Sequence, residues 1–331
     1  MRPAATAGGR VTHRPFDPAA DFASAAELIR EANRHDGTDW LPSADALRHD
    51  LAHDGSFRPA LDARLAEADG RVVAFVATGW RRRTDKVVHR IDLTVAPGYR
   101  RRGIGTELLD WAERHAAERR RAGEAGPREL PHELGGWGEL AVPGHAELAA
   151  SHGYRIARYG MDMLRPIDAP IPEAPLPPGI EIRPVREADW RRIWEADTEA
   201  FRDHWEAAER TETDFEWVFR RPNLDTSLWQ VAWEGSEVVG SVITSIDIDE
   251  DAGLGVRRAW LDHISVRRPW RQRGVAAALI ASTLRLLAER GIEQAGLGVD
   301  TENLSGAVRL YERMGFVRHR VGAQYRKTLE P

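Results

Sequence analysis

No cysteine occurs in the 331 residues, which excludes disulfide frameworks, thiolate metal sites and a cysteine nucleophile at once. Lysine is nearly missing: Lys86 and Lys327 are the two, and arginine supplies the rest of the 47 basic residues. This skew is read as the codon bias of a GC-rich genome rather than as a binding surface. Arginine triplets at 81–83, 100–102 and 119–121 are offset by 52 acidic residues, giving a net charge of -5, and carry no interleaved aromatics. No nucleic-acid partner is expected. Long apolar runs are absent too. The longest, Gly274-Val-Ala-Ala-Ala-Leu-Ile-Ala281, falls far short of the ~20 residues a membrane helix needs. The 12 histidines include no His-Glu-x-x-His pair, so no metal is expected. The opening Met1-Arg-Pro-Ala-Ala-Thr-Ala-Gly-Gly9 lacks the apolar centre of a signal peptide, and the expectation is a cytoplasmic protein.

What is present fills cores. Hydrophobic residues make up 42% of the chain and 12 are tryptophan, and the length suits two domains at about 100–200 residues each. Pro166, Pro170, Pro172, Pro175, Pro177 and Pro178 are too dense for a helix or central strand. They predict a stiff linker over 166–179 between domains at 10–165 and 180–331.

The halves repeat each other. Ile91-Asp-Leu-Thr-Val-Ala-Pro-Gly-Tyr-Arg-Arg-Arg-Gly-Ile-Gly105 lies over Asp262-His-Ile-Ser-Val-Arg-Arg-Pro-Trp-Arg-Gln-Arg-Gly-Val-Ala276, so that Val95 meets Val266, Arg100 meets Arg271 and Gly103 meets Gly274. Ahead of each block two apolar runs flank a turn, Asp69-Gly70 or Gly235-Ser236. Helical spacing runs from Phe22 to Arg34 and from Ala188 to Phe201. After each block come a long amphipathic helix (104–121, 275–290), a short strand (137–142, 294–299), another helix, and Gly153-Tyr154 or Gly315-Phe316. The order β-α-α-β-β-β-α-β-α-β is expected twice, an α/β (α+β) class built on mixed sheets.

The strand-to-helix turn in each block has a chemical use. A helix start exposes unpaired N–H groups and carries about half a positive charge, which suits a phosphate. Gly274 and Ala276 allow close approach, and Arg271 and Arg273 add charge. A pyrophosphate fits. The Gly-Lys-Ser/Thr end of an ATP loop is missing, as is a dinucleotide fingerprint.

With Asn303-Leu-Ser-Gly-Ala-Val-Arg-Leu-Tyr-Glu-Arg-Met-Gly-Phe316 added, the chain resembles a tandem member of the GNAT acetyltransferase superfamily. In architecture it is similar to the mycothiol synthase group. The resemblance covers 12–164 and 181–329. It implies two GNAT folds, each a mostly antiparallel sheet flanked by helices, and acetyl-CoA as donor to a primary amine of a small molecule. The implied cofactor contacts are Ile264, Ser265, Val266, Arg271, Gln272, Arg273, Gly274, Val275, Ala276 and Asn303 in the second half. In the first they are Val95, Arg100, Arg101, Arg102, Gly103 and Ile104, with Gly105. Tyr311 matches the family's general acid, since a phenol near pKa 10 can protonate a thiolate near 8.5. Asp262 is the expected base or the group that attracts a cationic amine. His263 ranks second, because strand alternation turns it to the opposite face. His204 and Glu206, within Phe201-Arg-Asp-His-Trp-Glu206, are candidate acceptor contacts. His204-Trp-Glu-Ala207 departs from the His-Pro-Glu-Gln character of the mycothiol synthase group. Aligning Gly153-Tyr154 with Gly315-Phe316 sets Ala149 opposite Tyr311 and Ala141 opposite Asn303. The first half is therefore expected to bind cofactor at most, and the second to catalyse, as a monomer or homodimer. A non-catalytic acyl-CoA sensor and a protein N-terminal acetyltransferase stay open.

Overall fold

Turn chemistry starts the architecture. In the computed structural model, described for residues 10–52, 57–207, 210–221, 224–302 and 306–330, Asp69 and Gly70 both take positive φ, 53° and 74°, as a tight hairpin turn demands. Residues 1–9, read above for a targeting signal, and Asn303 lie outside the described residues. The chain forms two compact units. One holds the described residues up to Gly138, then Val142–Arg155 and the residues from Tyr325 onward. The other holds Glu139–Ala141 and Ile156–Gln324.

In the first unit, β1 (Thr12–Pro15) leads through α1 (Asp21–Asp36), α2 (Ala44–Ala52) and the single turn α3 (Pro59–Asp62) to β2 (Ala63–Ala68), β3 (Arg71–Arg82) and β4 (Val87–Val95). Then come α4 (Ile104–Ala122), β5 (His132–Glu139) and α5 (His145–Ser151). Strands β1 to β4 pair antiparallel in sequence order, and β4 pairs β5 parallel. Helix α4 buries Ile104, Leu108, Leu109, Ala112 and Ala116, a stripe at the 3.6-residue period. Its core is shared with Phe22, Ile29, Leu65, Phe75 and Ile91.

Strand β6 (Arg155–Pro166) is counted by its pairing in the second unit, where Pro166 to Gly160 face Gln294 to Asp300 of β11 (Gln294–Asp300) antiparallel. That unit continues with β7 (Ile180–Arg183), α6 (Trp190–Ala200), α7 (Glu212–Phe219), β8 (Gln230–Glu234), β9 (Glu237–Ser245), α8 (Ile248–Leu254), β10 (Arg258–Val266) and α9 (Val275–Glu289). Helix α10 (Ala307–Arg313) and β12 (Val317–Thr328) follow β11. Pairing runs β7-β8-β9-β10 antiparallel, and β10-β11 is the parallel pair. The proline-rich segment is not bare: Ile171, Ala174 and Leu176 are partly buried on this unit's core. The expected element order recurs in both halves. Two features escaped the patterns: the short acidic α8, and the start of β5 five residues earlier than the apolar run indicated.

Among the described residues no helix is long and apolar enough to cross a membrane, and no cluster of metal-ligating side chains occurs.

Candidate acyl-transfer site

The two glycine turns share one construction. Gln272 (φ 61°) and Gly274 (φ 87°) precede α9 as Arg101 (φ 62°) and Gly103 (φ 86°) precede α4. Each helix therefore begins on a left-handed residue that glycine adopts without strain. The preceding arginine ties the turn down from inside. Arg271 donates Nε to the Val266 carbonyl at 3.0 Å, Nη2 to the Ala200 carbonyl at 3.0 Å and Nη1 to Asp203 at 3.2 Å. Arg100 donates Nε to the Val95 carbonyl at 3.0 Å and both terminal nitrogens to Asp36 at 2.7 Å. Both guanidiniums hold the end of a strand to the end of a helix. The neighbouring arginines differ: Arg273 lies 3.6 Å from Glu234, and Arg102 donates to the Gly98 carbonyl and sits over the Tyr99 ring. What each turn presents outward is the row of unpaired N–H groups of a long helix's first turn, a fit for phosphate oxygens.

Beside the second turn the sheet opens. The parallel pairing of β10 with β11 covers only Arg258–Trp260 against Gln294–Gly296, although the strands run on to Val266 and Asp300. An extended chain can bond to a strand edge left in this way. Strands β4 and β5 likewise pair only from Val87 to Arg90.

A cavity of about 260 Å³ adjoins β10. Its lining includes Trp194 and Asp197 of α6, Trp217 and Phe219 of α7, Arg221, and both Asp262 and His263. Strand alternation had put the last two on opposite faces. The reason for the difference is a register shift between Leu261 and His263 against β9, a bulge with Asp262 as the extra residue. The matching stretch of β4 runs without a shift, Ile91 opposite Thr78 and Asp92 opposite Ala77.

The cavity's charges are paired. Asp262 lies 3.3 Å from Arg221. His263 shares its Nδ1 with Oδ2 of Asp197 at 2.9 Å, and Arg210 donates to the same oxygen at 2.7 Å. Asp197 is 1% exposed. Burial pushes its carboxyl up, but His263 and Arg210 together outweigh it and bring it to about 2. Burial presses the His263 imidazole down, and Asp197 wins, so it titrates above its usual 6.5. The Phe201 ring lies 5.0 Å from that of His263 and 4.3 Å from that of His204. Sequence reasoning missed Asp197 and Arg210. The signal for Asp197 was its place on the apolar face of α6 with Ile193, Trp194, Ala196 and Ala200, where an unpaired carboxylate is not tolerated.

The other expected residues are not among those that line this cavity. Tyr311 on α10 is buried and edge-on to Phe316 at 6.3 Å, and burial pushes its phenol up to about 12. His204 is exposed, and Glu206 is half-buried with φ 50°. Between them Trp205 lies against Arg158, which binds Asp300 at the end of β11 by two nitrogens at 2.7–2.9 Å. Ser265 is buried with its hydroxyl 3.2 Å from that of Ser241. In the first unit Ala149 sits on α5, and Asp92, the counterpart of His263, lies 2.8 Å from Arg90.

Comparison with known proteins agrees with this architecture. The acetyltransferase (GNAT) family profile matches residues 24–125 and 190–316. A mycothiol acetyltransferase of Geodermatophilus obscurus is 31% identical over 95% of this chain and 96% of its own. The crystal structure of a GCN5-related N-acetyltransferase from Sphaerobacter thermophilus superposes with a TM-score of 0.74 at 28% identity, covering 97% of this chain and 96% of that one. A tandem GNAT protein from the clavulanic acid biosynthesis pathway, 16% identical, shares the fold with a TM-score of 0.66, over 97% and 99% of the two chains. The chain thus belongs to the GNAT acetyltransferase family, as a tandem member resembling mycothiol synthase.

Proposed function

We propose that the second unit transfers the acetyl group of acetyl-CoA to a primary amine of a small molecule, in the cytoplasm. The observation that carries this is the conjunction, in one unit, of a phosphate-fitting turn, an opened strand edge and a cavity with aromatic walls and carboxylates. Backbone N–H groups at the start of α9, around Gly274, Val275 and Ala276, would hold the pyrophosphate, with Arg271 fixing the turn. Backbone at Ile264 to Val266 would hold the pantetheine arm and the thioester oxygen. Asp262 and the rings of Trp194 and Trp217 attract an ammonium group. Tyr311, protonated throughout the physiological range, supplies the proton that the departing thiolate needs.

The mycothiol acetyltransferase relatives support a thiol-bearing sugar amine, cysteinyl-glucosamine-inositol, as the first acceptor to test. The first unit keeps its turn but has Ala149 where the second has Tyr311, which favours cofactor binding or support there without catalysis.

The test is CoA release from acetyl-CoA with that amine, an aminoglycoside, a polyamine and an amino acid. Turnover with one of them, lowered at least ~10-fold in Tyr311→Phe with acetyl-CoA affinity kept, is expected. Tight acetyl-CoA binding with no turnover for any acceptor would establish the sensor instead.

A further inference from the structure

Two groups of the cavity compete for the acceptor's proton, and their surroundings differ. Asp262 projects from the bulge and already faces a cation, Arg221, at 3.3 Å. His263 has one ring nitrogen occupied and one open. Asp197, buried and ionised between His263 and Arg210, can only accept a hydrogen bond. The hydrogen on the imidazole's Nδ1 is thereby fixed, and the lone pair of the neutral ring falls on Nε2. Among the described residues Nε2 has no protein partner, and the ring lines the cavity.

We propose that His263, held by Asp197, takes the proton from the acceptor's ammonium group, while Asp262 binds that group without deprotonating it. This inference rests on the acyl-transfer reading. The ammonium passes one proton to Nε2, making an imidazolium that later returns it to solvent. The freed nitrogen lone pair forms the C–N bond to the thioester carbon. As the C–S bond breaks, its electron pair leaves on sulfur. Tyr311 protonates the sulfur and is reprotonated by the second N–H proton of the adduct. The products are the amide, CoA thiol and one released proton.

Asp197 is a positioning residue in this scheme. It sets the tautomer and stabilises the imidazolium. The groups that face His263 are Asp197 from α6, His204 beyond that helix, Arg210 and Arg221 on either side of α7, and Asp262 on its own strand. From β9 the facing partner is Ile243. Asp197 and Asp262 favour the charged ring and Arg210 opposes it, with Asp197 dominant over Arg210. The first unit supports the assignment by contrast: the matched positions are Ile91 and Asp92 on an unbulged strand.

The experiment is the pH dependence of CoA release by the full chain, with acetyl-CoA and the best amine of the panel above. Wild type is expected to gain kcat/KM as pH rises through a midpoint above 6.5. His263→Asn retains a donor toward Asp197 and no base. It should lose that limb and at least ~100-fold in kcat, while acetyl-CoA affinity stays near wild type and the thermal midpoint falls modestly, because Asp197 keeps Arg210 but loses a cationic partner. Asp197→Asn should keep the limb and move it to lower pH, a shift that mere structural support would not produce. This second variant carries the test if His263→Asn does not fold. Turnover within threefold of wild type in His263→Asn, a limb in the carboxylate range below about pH 5, or an unmoved limb in Asp197→Asn overturns the inference and leaves acyl transfer standing. Absence of CoA release by wild type with every amine overturns both.

Discussion

Removing the charge of Asp197 should weaken the fold in a pH window that the two partners define. The carboxyl sits at about 2 against an ordinary 3.8, close to two units, and at 1.36 kcal/mol per unit this is about 2–3 kcal/mol of stability. Because the folded value is depressed, that stability is present above 3.8 and lost as pH falls through 2. His263 sets the other boundary. Its folded value is raised above 6.5, so its share is present below 6.5 and lost as pH rises through the folded value. Both describe one interaction and are not added. In Asp197→Asn, Arg210 and His263 keep no charged partner at that oxygen, and His263 escapes by going neutral while Arg210 cannot. The variant should therefore lose about 2–3 kcal/mol between pH 4 and 6.5, and visibly less at pH 9 and at pH 2.5. Urea unfolding followed by tryptophan fluorescence at those pH values measures it. Two compact units need not unfold together, so the transition that moves in the variant is the one compared. A loss equal at pH 5.5 and pH 9 would refute a contribution from charged His263, and a loss below ~0.5 kcal/mol at pH 5.5 would show that the buried carboxylate does not stabilise the fold.

Arg271 tests what the glycine turn requires. If it acts by fastening the turn to Val266 and Ala200, Arg271→Lys should weaken acetyl-CoA binding as much as Arg271→Met, since an ammonium cannot reproduce the planar three-way contact. Rescue by lysine in isothermal titration would show a charge role instead. Gly240 tests the packing of β9 against the end of β10. A Cβ there would stand 2.4 Å from the Ser265 carbonyl oxygen, about 1 Å inside contact with backbone that has no rotamer to change. Gly240→Ala should cost about 3 kcal/mol in urea unfolding and lower turnover. A loss under ~1 kcal/mol would show that β10 yields freely.

Much of the fold was legible because it depends on period and turn chemistry. The stripes of α4 and α9, the Asp69-Gly70 turn and the repeat of the glycine block are local statements that a sequence makes without help. The strand before Gly153 was placed late because His132-Glu-Leu-Gly-Gly-Trp-Gly-Glu139 alternates weakly and holds three glycines. The site was half legible. Asp262 and His263, which line the cavity, could be named from the block that carries them, but Asp197 could not be joined to His263, since they are 66 residues apart and meet only through the packing of α6 on β10. The bulge was invisible for another reason: one extra residue in a strand leaves composition and spacing intact and changes only which side each following side chain takes.

The repeat then separates scaffold from chemistry. Both units keep an arginine that bonds the last carbonyl of a strand and an acidic residue at or just past the end of a helix, Arg100 with Asp36 and Arg271 with Asp203. A feature held in the same form in both is a condition for making the turn, and it says nothing about which unit reacts. Besides Tyr311 against Ala149, the differences include Asp262 and His263 against Ile91 and Asp92. They are differences of backbone as well as of side chain. On β4, with its even register, neighbouring residues must face opposite sides of the sheet, so an Asp-His pair written into positions 91 and 92 would send one group to each face. On β10 the extra residue lets consecutive side chains share a cavity. A single register shift therefore does what two substitutions cannot, and it is the feature of the second unit on which the proposed assignment of chemistry rests.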